Sequence, residues 1–330
     1  MKRIVLLFLA LSALTASAEN ASWLRYPSIS PDGNNVAFSY KGDIYIVDSE
    51  GGEARQLTSN PAYDYSPVWS PDGKTLAFAS DRYGNFDIFT IPVTGGVPFR
   101  VTTHSAKETP WTFTPDGKRL LFTARIQDPA ESAQFPKGTM TELYSVSVNG
   151  GRYEQVLATP AEEVSFIDKS GSFVYQDCKG GENIWRKHHT SSITRDIWMY
   201  DGTRHTKLTS FEGEDRSPRV SADGNTVYFM SERDGSFNIY SFPLNNPDNV
   251  SRVTSHKTHP VRFLTVSDND VLCYGYDGDI YVKRGESASK KLKITVRSDK
   301  NDDNLAELSV SGGGDNDLSA DGKQIAFISR

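Results

Sequence analysis

One short pattern, serine or threonine followed by Pro-Asp-Gly or a close variant, recurs along the whole chain and constrains its fold more than any other feature. The turn residues of its seven copies are Gly33, Gly73, Gly117, Gly171, Gly224, Asn269 and Gly322. The copies around Gly171 and Asn269 are degenerate, and successive copies are 40 to 54 residues apart. Self-similarity at such a period is typical of repeat architectures in which each unit is one supersecondary structure.

Each repeat is interpreted as four short strands. Asp-Gly between two apolar runs predicts a hairpin, because glycine adopts the positive φ that tight turns require. A proline near the start of the preceding strand places that strand at a sheet edge, since proline donates no ladder hydrogen bond. These prolines are Pro27, Pro67, Pro110, Pro218 and Pro260. Four-stranded units repeated radially predict an all-β fold, a β-propeller.

Counting the repeats predicts how the chain is divided. Six complete units give a six-bladed β-propeller of four-stranded blades over residues 19–296. The charged stretch 297–304 is interpreted as a linker. Residues 305–330 resemble the truncated first blade of a second propeller, and the chain is therefore expected to be a fragment of a longer protein.

The N-terminus has the pattern of a secretory signal peptide. Lys2 and Arg3 precede the apolar run 4–13, and Ala16-Ser17-Ala18 supplies a small-residue cleavage site. The run is about half as long as a membrane-spanning helix, so a membrane anchor is the weaker interpretation. We expect residues 1–18 to be removed and the mature protein to be exported, periplasmic or secreted, without a membrane span.

Charge and motifs exclude several classes of function. The formal net charge is −6, which argues against a general nucleic-acid binder. No Gly-x-Ser-x-Gly elbow, zinc-binding His-Glu-x-x-His helix, Walker loop or dinucleotide fingerprint occurs. The sequence therefore predicts no catalytic residue, no metal site and no cofactor in this chain.

A basic segment in the fourth repeat is the first candidate binding site. It contains Arg186, Lys187, His188 and Arg195. Positive charge concentrated in an acidic chain could hold the terminal carboxylate of a peptide, since arginine donates to both oxygens. The alternative is a solvated loop face.

A second candidate set stands at or just before the innermost strand of several repeats. Its members are Asp64, Glu108, Asp215 and His259. The blade geometry would place them around one mouth of the central channel, where propellers commonly bind their ligands.

These Ser-Pro-Asp-Gly units resemble the WD40-like repeats of TolB, of the tricorn protease and of prolyl-oligopeptidase-type enzymes. The segment 184–198, in which Trp185 and a basic cluster precede Asp196-Ile197-Trp198, is similar to the fourth blade of tricorn-type proteases. That resemblance implies an N-terminal six-bladed propeller followed by a seven-bladed propeller, a PDZ module and a serine-protease core.

The resemblance implies a non-catalytic region that gates or docks peptides or unfolded polypeptide for a protease core beyond residue 330. Its partners would be those peptides and the C-terminal protease and PDZ domains of the same chain, and a homo-oligomer is left open. Two alternatives remain: a non-enzymatic TolB-like periplasmic binding module, and the propeller of a dipeptidyl-peptidase-like enzyme with an α/β-hydrolase domain.

Overall fold

The computed structural model of the protein describes residues 19–126, 140–181, 183, 185–297 and 314–328. All regular elements in these ranges are β-strands. No helix among them has the length and apolar character needed to cross a membrane. The predicted signal peptide, residues 298–304 of the predicted linker and residues 305–313 lie outside the described residues. Two compact units are distinguished, Met1–Arg297 and Ser298–Arg330, and each is described by itself.

The described part of the first unit contains 26 strands in chain order. A short initial strand and the first three blades comprise β1 (Glu19–Asn20), β2 (Arg25–Ile29), β3 (Asn35–Tyr40), β4 (Asp43–Asp48), β5 (Gly52–Gln56), β6 (Asp64–Trp69), β7 (Thr75–Ser80), β8 (Asp87–Pro92), β9 (Phe99–Arg100), β10 (Glu108–Phe113), β11 (Arg119–Ala124), β12 (Glu142–Ser147) and β13 (Glu154–Leu157). The next three blades and a final strand comprise β14 (Ala161–Phe166), β15 (Phe173–Asp177), β16 (Ile197–Tyr200), β17 (His205–Lys207), β18 (Asp215–Val220), β19 (Thr226–Ser231), β20 (Asn238–Pro243), β21 (Ser251–Arg252), β22 (Arg262–Val266), β23 (Val271–Tyr276), β24 (Asp279–Arg284), β25 (Lys290–Lys291) and β26 (Ile294–Val296).

Each blade is built from four consecutive antiparallel strands. Blade 1 is β2 to β5, blade 2 is β6 to β9, and the pattern continues to blade 6, which is β22 to β25. The first strand of every blade lies at one edge of its sheet and lines the central channel. The prediction of a six-bladed propeller of four-stranded blades is confirmed.

The recurring turn motif is fixed by its own side chains. In blade 2, Ser70 Oγ donates to Asp72 Oδ1 at 2.6 Å, and the same oxygen accepts from the backbone N–H of Lys74 at 3.1 Å. These hydrogen bonds hold the pKa of Asp72 below its usual value, because they favour the carboxylate. Gly73 has a φ of +67°, a conformation that glycine adopts without strain.

The hydrophobic core lies between blades rather than within one sheet. Val36 and Phe38 of blade 1 pack with Val271 and Cys273 of blade 6 in one cluster. Five further clusters of buried residues join the remaining pairs of neighbouring blades. A single blade cannot bury both of its faces, so the full ring is the unit that removes this apolar surface from water.

The ring is closed by direct packing and by a pair of terminal strands. Strand β26 pairs in parallel with β5 at the outer edge of blade 1, and β1 pairs antiparallel with β26. On the turn side, the Asn269 side chain lies so close to Gly33 that a Cβ there would come within 2.6 Å of its Oδ1. We call β1 and β26 the terminal latch.

The described part of the second unit is one hairpin. Strands β27 (Gly314–Leu318) and β28 (Ile325–Ile328) pair antiparallel. Its turn repeats the motif, since Ser319 Oγ donates to Asp321 Oδ1 at 2.7 Å. Two strands joined by this turn are what the inner half of a further blade would contain.

Candidate functional site

Five of the six innermost strands carry the same irregularity where they line the channel. Their pairing slips beside a non-glycine residue with a φ between +51° and +58°. These residues are Tyr26, Ser66, Glu163, Ser217 and Phe263. Such a backbone costs about 1 to 3 kcal/mol per residue, and bulges redirect side chains. All five residues line the channel, so the repeated bulge shapes its wall.

Aromatic side chains form much of this wall. The channel encloses a cavity of about 600 Å³. The ring of Tyr26 lies 5.2 Å from that of Tyr65 and 4.5 Å from that of Phe263. Trp185 meets Phe263 edge-on at 6.1 Å. These rings offer apolar and quadrupolar contacts to a ligand.

The charged residues of the wall are mostly cationic. Its basic members outnumber the two carboxylates Glu162 and Glu163, and are Lys107, Arg125, Arg216, Arg219 and Arg262. Arg219 is paired with Glu163 at 2.6 Å. Burial, and then the charge of Arg216, lower the pKa of Arg262 to about 10. A positive group whose pKa is lowered by a neighbouring positive charge favours an anion beside it.

Lys107 is an exposed cation of this wall. Its ammonium lies 5.4 Å from the ring centre of Tyr65 and 5.2 Å from that of Phe86, and it has no carboxylate partner within the described residues. Desolvation and the neighbouring charge of Arg125 lower the pKa of Lys107. A bound carboxylate would supply the missing counter-charge.

A long connection of blade 4 reaches across this end of the channel. We call residues 178–196, between β15 and β16, the mouth loop. The backbone N–H groups of His188 and His189 donate to Glu232 of blade 5 at 2.7 and 3.2 Å. The Trp185 ring lies 5.3 Å from the guanidinium of Arg262 on blade 6. The mouth loop therefore spans three blades and brings Trp185 to the channel wall.

The predicted basic segment is divided by the fold. Arg186, Lys187 and His188 are exposed on the mouth loop. Arg195 is only 3% exposed, and its guanidinium lies 3.8 Å from carboxylate oxygens of both Glu162 and Glu214. Arg195 thus compensates buried charge inside the blades and does not present its guanidinium to solvent.

Two of the predicted mouth carboxylates are held inside their blades. Asp64 is fully buried and accepts hydrogen bonds from Arg82 at 2.9 Å. Asp215 is fully buried and accepts from Arg233 at 3.1 Å. Each arginine also lies over aromatic rings of its blade. These pairs tie the top of the innermost strand to the hairpin that follows it.

The other two members of that set differ from each other. Glu108 is fully buried and accepts a hydrogen bond from the hydroxyl of Thr102. Burial raises the pKa of Glu108 to about 8, so the carboxyl group is largely neutral at physiological pH. His259 is half exposed and lies 3.3 Å from Asp277. None of these four residues belongs to the channel wall described above.

Their immediate neighbours occupy the wall instead. Tyr65 follows Asp64, Lys107 precedes Glu108, and Arg216 follows Asp215. Side chains alternate between the faces of a strand, so a shift of one residue exchanges the interior of the blade for the channel. The sequence repeat correctly located the start of each of these innermost strands. Whether a given side chain faces the blade interior or the channel depends on the bulges in that strand.

The fold and its channel place this chain among the six-bladed β-propellers of WD40-like repeats. Residues 21–289 match the family described as the tricorn protease N-terminal beta propeller domain. This match covers most of the chain, and the chain therefore belongs to that family. The resemblance inferred from its repeats is confirmed.

Known relatives and structures agree with this assignment. The tricorn protease homolog of Saccharolobus solfataricus is 27% identical over 198 residues, which make up 58% of this chain and 17% of that protein. The crystal structure of the tricorn protease superposes with a TM-score of 0.70 at 24% identity, over 82% of this chain and 26% of that one. TolB from Acinetobacter baumannii gives 0.58 at 17% identity, over 83% and 65% of the two chains.

The match is to one part of longer proteins. The chain covers less than a fifth of the length of the curated relatives that it matches. Within the described residues, no group of three or more histidine, cysteine, aspartate or glutamate side chains is arranged to hold a metal ion.

Proposed function

We propose that this chain is the N-terminal propeller region of an exported tricorn-like serine protease, and that its channel mouth docks peptides. Family membership supports the protease context, because the match covers residues 21–289. In this proposal peptide hydrolysis belongs to protease and PDZ domains outside these residues, and residues 305–330 begin a second propeller. The signal-like residues 1–18 support export.

The observation that carries the docking proposal is the position of Lys107 in an aromatic, cation-rich wall. A peptide offers a terminal carboxylate to the ammonium and apolar side chains to Tyr65, Phe263 and Trp185. An ion-assisted hydrogen bond at a partly shielded site is stronger than the same bond in open solvent. A peptide would thus contact both the ammonium group and the aromatic side chains of the wall.

The exposed part of the predicted basic segment has a place in this proposal. Arg186 and Lys187 lie on the same mouth loop as Trp185 and are open to solvent. Cations around an entrance raise the local concentration of anionic ligands and speed their association. These two residues would guide acidic peptides toward Lys107, with an influence that falls as salt is added.

Titration calorimetry with matched peptides tests the proposal. The purified chain should bind free-acid peptides about tenfold more tightly than their C-terminal amides, since one charge-assisted hydrogen bond is at stake. Lys107→Met should remove that preference. Lys118→Met is the matched control, because Lys118 is 81% exposed outside the channel wall and should leave both affinities unchanged.

Two outcomes would contradict the proposal. Equal affinities for acid and amide peptides would exclude carboxylate recognition at the mouth. An acid preference that survives Lys107→Met would place that recognition elsewhere. If the chain binds an intact folded protein but no peptide, that result would instead favour the TolB-like alternative.

A further inference from the structure

Ser191 and His189 of the mouth loop form a hydrogen-bonded series with Glu214 of blade 5, outside the channel. Ser191 Oγ lies 2.7 Å from Nε2 of His189, and Nδ1 of the same ring lies 3.0 Å from Oε1 of Glu214. Only in the folded protein does Glu214 of blade 5 meet the other two. A search for local nucleophile motifs does not find such an arrangement, because it follows no fixed spacing.

The surroundings of each group suit the roles in such a series. Glu214 is fully buried and His189 is 2% exposed, whereas Ser191 is exposed to solvent. Burial alone would raise the pKa of Glu214, but the hydrogen bond and charge of Arg216 outweigh it and lower the pKa to about 2. The ionised carboxylate accepts the proton on Nδ1, which leaves Nε2 as an acceptor.

Ser191 is also oriented correctly as a donor. Its Oγ accepts a long hydrogen bond of 3.3 Å from the backbone N–H of Ile193. The hydroxyl proton is then available to His189 Nε2. A serine whose proton is directed at an imidazole, itself oriented by a carboxylate, is the arrangement that activates this weak nucleophile.

Ser191 opens onto a cavity of its own. The cavity measures about 400 Å³, is also lined by Lys207 and Phe211, and has no lining residue in common with the channel. Ser192, the residue after the serine, also lines this cavity, and its backbone N–H has no acceptor within the described residues. This volume suits a small acyl group.

We infer that Ser191 is an activated nucleophile that accepts acyl groups from small carboxylic esters. In the first step the Ser191 Oγ–carbonyl bond forms, His189 Nε2 takes the hydroxyl proton, and the ester C–O bond breaks as the leaving alcohol receives that proton. Water then attacks the acyl-serine, His189 again transfers the proton, and the carboxylic acid leaves with Ser191 restored. Glu214 positions the ring and touches no substrate.

This activity is separate from peptide docking in the channel. Peptide binding depends on Lys107 and the aromatic wall, whereas ester turnover depends on Ser191 and His189. The two can therefore fail independently.

Covalent labelling of the whole chain by diisopropyl fluorophosphate provides the test. Ser191 Oγ bonds to phosphorus, the P–F bond breaks, fluoride leaves, and His189 takes the serine proton. Mass spectrometry should locate one phosphoryl adduct at Ser191. Ser191→Ala should abolish the adduct, while Ser255→Ala, the same change at an exposed serine outside both cavities, should keep it.

The contribution of the other two groups is measured by rate. His189→Gln should lower the labelling rate at least 100-fold in protein that still unfolds cooperatively. Glu214→Gln should lower kcat for 4-nitrophenyl acetate while KM stays within twofold, because a positioning residue touches no part of the ester. If the role of Glu214 were purely structural, the substitution would not lower kcat while leaving KM nearly unchanged.

Three results would overturn the inference. They are the lack of any adduct at Ser191 in folded wild-type protein under conditions that label a known serine hydrolase, an unchanged labelling rate in His189→Gln, and release of 4-nitrophenolate that persists in Ser191→Ala. The first uses no variant, so it stands even where a substitution disturbs folding.

Discussion

At the residue scale, three buried carboxyl groups occupy the same position in different repeats but are stabilised in two different ways. Asp64 and Asp215 each accept hydrogen bonds from an arginine of the following hairpin. In blade 3 the position corresponding to Arg82 is Ile126, so Glu108 has no such arginine partner within the described residues. Its carboxyl group therefore avoids the cost of a buried charge by keeping its proton.

This difference predicts how stability depends on pH. The pKa of Glu108 is about 8 in the folded protein against an ordinary value of 4.5, so the unfolded chain loses that proton first. The contribution to stability is full below pH 4.5 and is lost as pH rises toward 8. Glu108→Gln should match the wild type at pH 5 and be more stable at pH 9 by at least about 1 kcal/mol, or roughly 2 °C.

Thermal unfolding at the two pH values measures this effect. Glu286→Gln is the control, because Glu286 is exposed and its substitution should shift neither curve. A Glu108→Gln variant that is no more stable than wild type at pH 9 would show that Glu108 ionises normally.

At the element scale, the bulges and the mouth loop determine what the channel presents. The Pro-containing innermost strands could be located from the sequence, because proline excludes a central strand position. The positive φ of Ser66 or Phe263 could not be predicted, since neither residue favours that conformation. The burial of Arg195 could not be predicted from the sequence either, because its carboxylate neighbours Glu162 and Glu214 lie in different blades.

The anchoring role of Arg195 gives a prediction about the mouth loop. Arg195→Met leaves the buried carboxylate of Glu214 and the partly buried carboxylate of Glu162 without that positive charge. Loss of one partner from a buried ionic group costs about 3 to 5 kcal/mol, and the lower end fits distances of 3.8 Å. Urea denaturation should show that loss, while Lys187→Met, the same type of change at an exposed site, should stay within about 0.5 kcal/mol. Equal stabilities of the two variants would exclude anchoring.

At the scale of the whole molecule, the number of blades followed from local pattern and the closure of the ring did not. Each hairpin is encoded within one repeat, so counting turns sufficed. The terminal latch pairs Glu19 with Val296 and Ile294 with Gly52, contacts between distant parts of the chain that no local signal specifies. Closure also buries Ile294 and Val296 in the core that blades 1 and 6 share.

The latch predicts where the propeller opens when it is weakened. Ile294 is 3% exposed in that shared core, so Ile294→Ala should cost about 2 to 5 kcal/mol. Because the latch contacts only one junction of the ring, amide exchange should accelerate in β2 and β22 and remain slow in β10, on the far side. Thr295→Ala, a change at a partly exposed position of the same strand, is the control and should leave exchange near the wild-type pattern. Uniform acceleration in all six blades would mean that the ring unfolds as one cooperative body and that the latch is not its weakest junction.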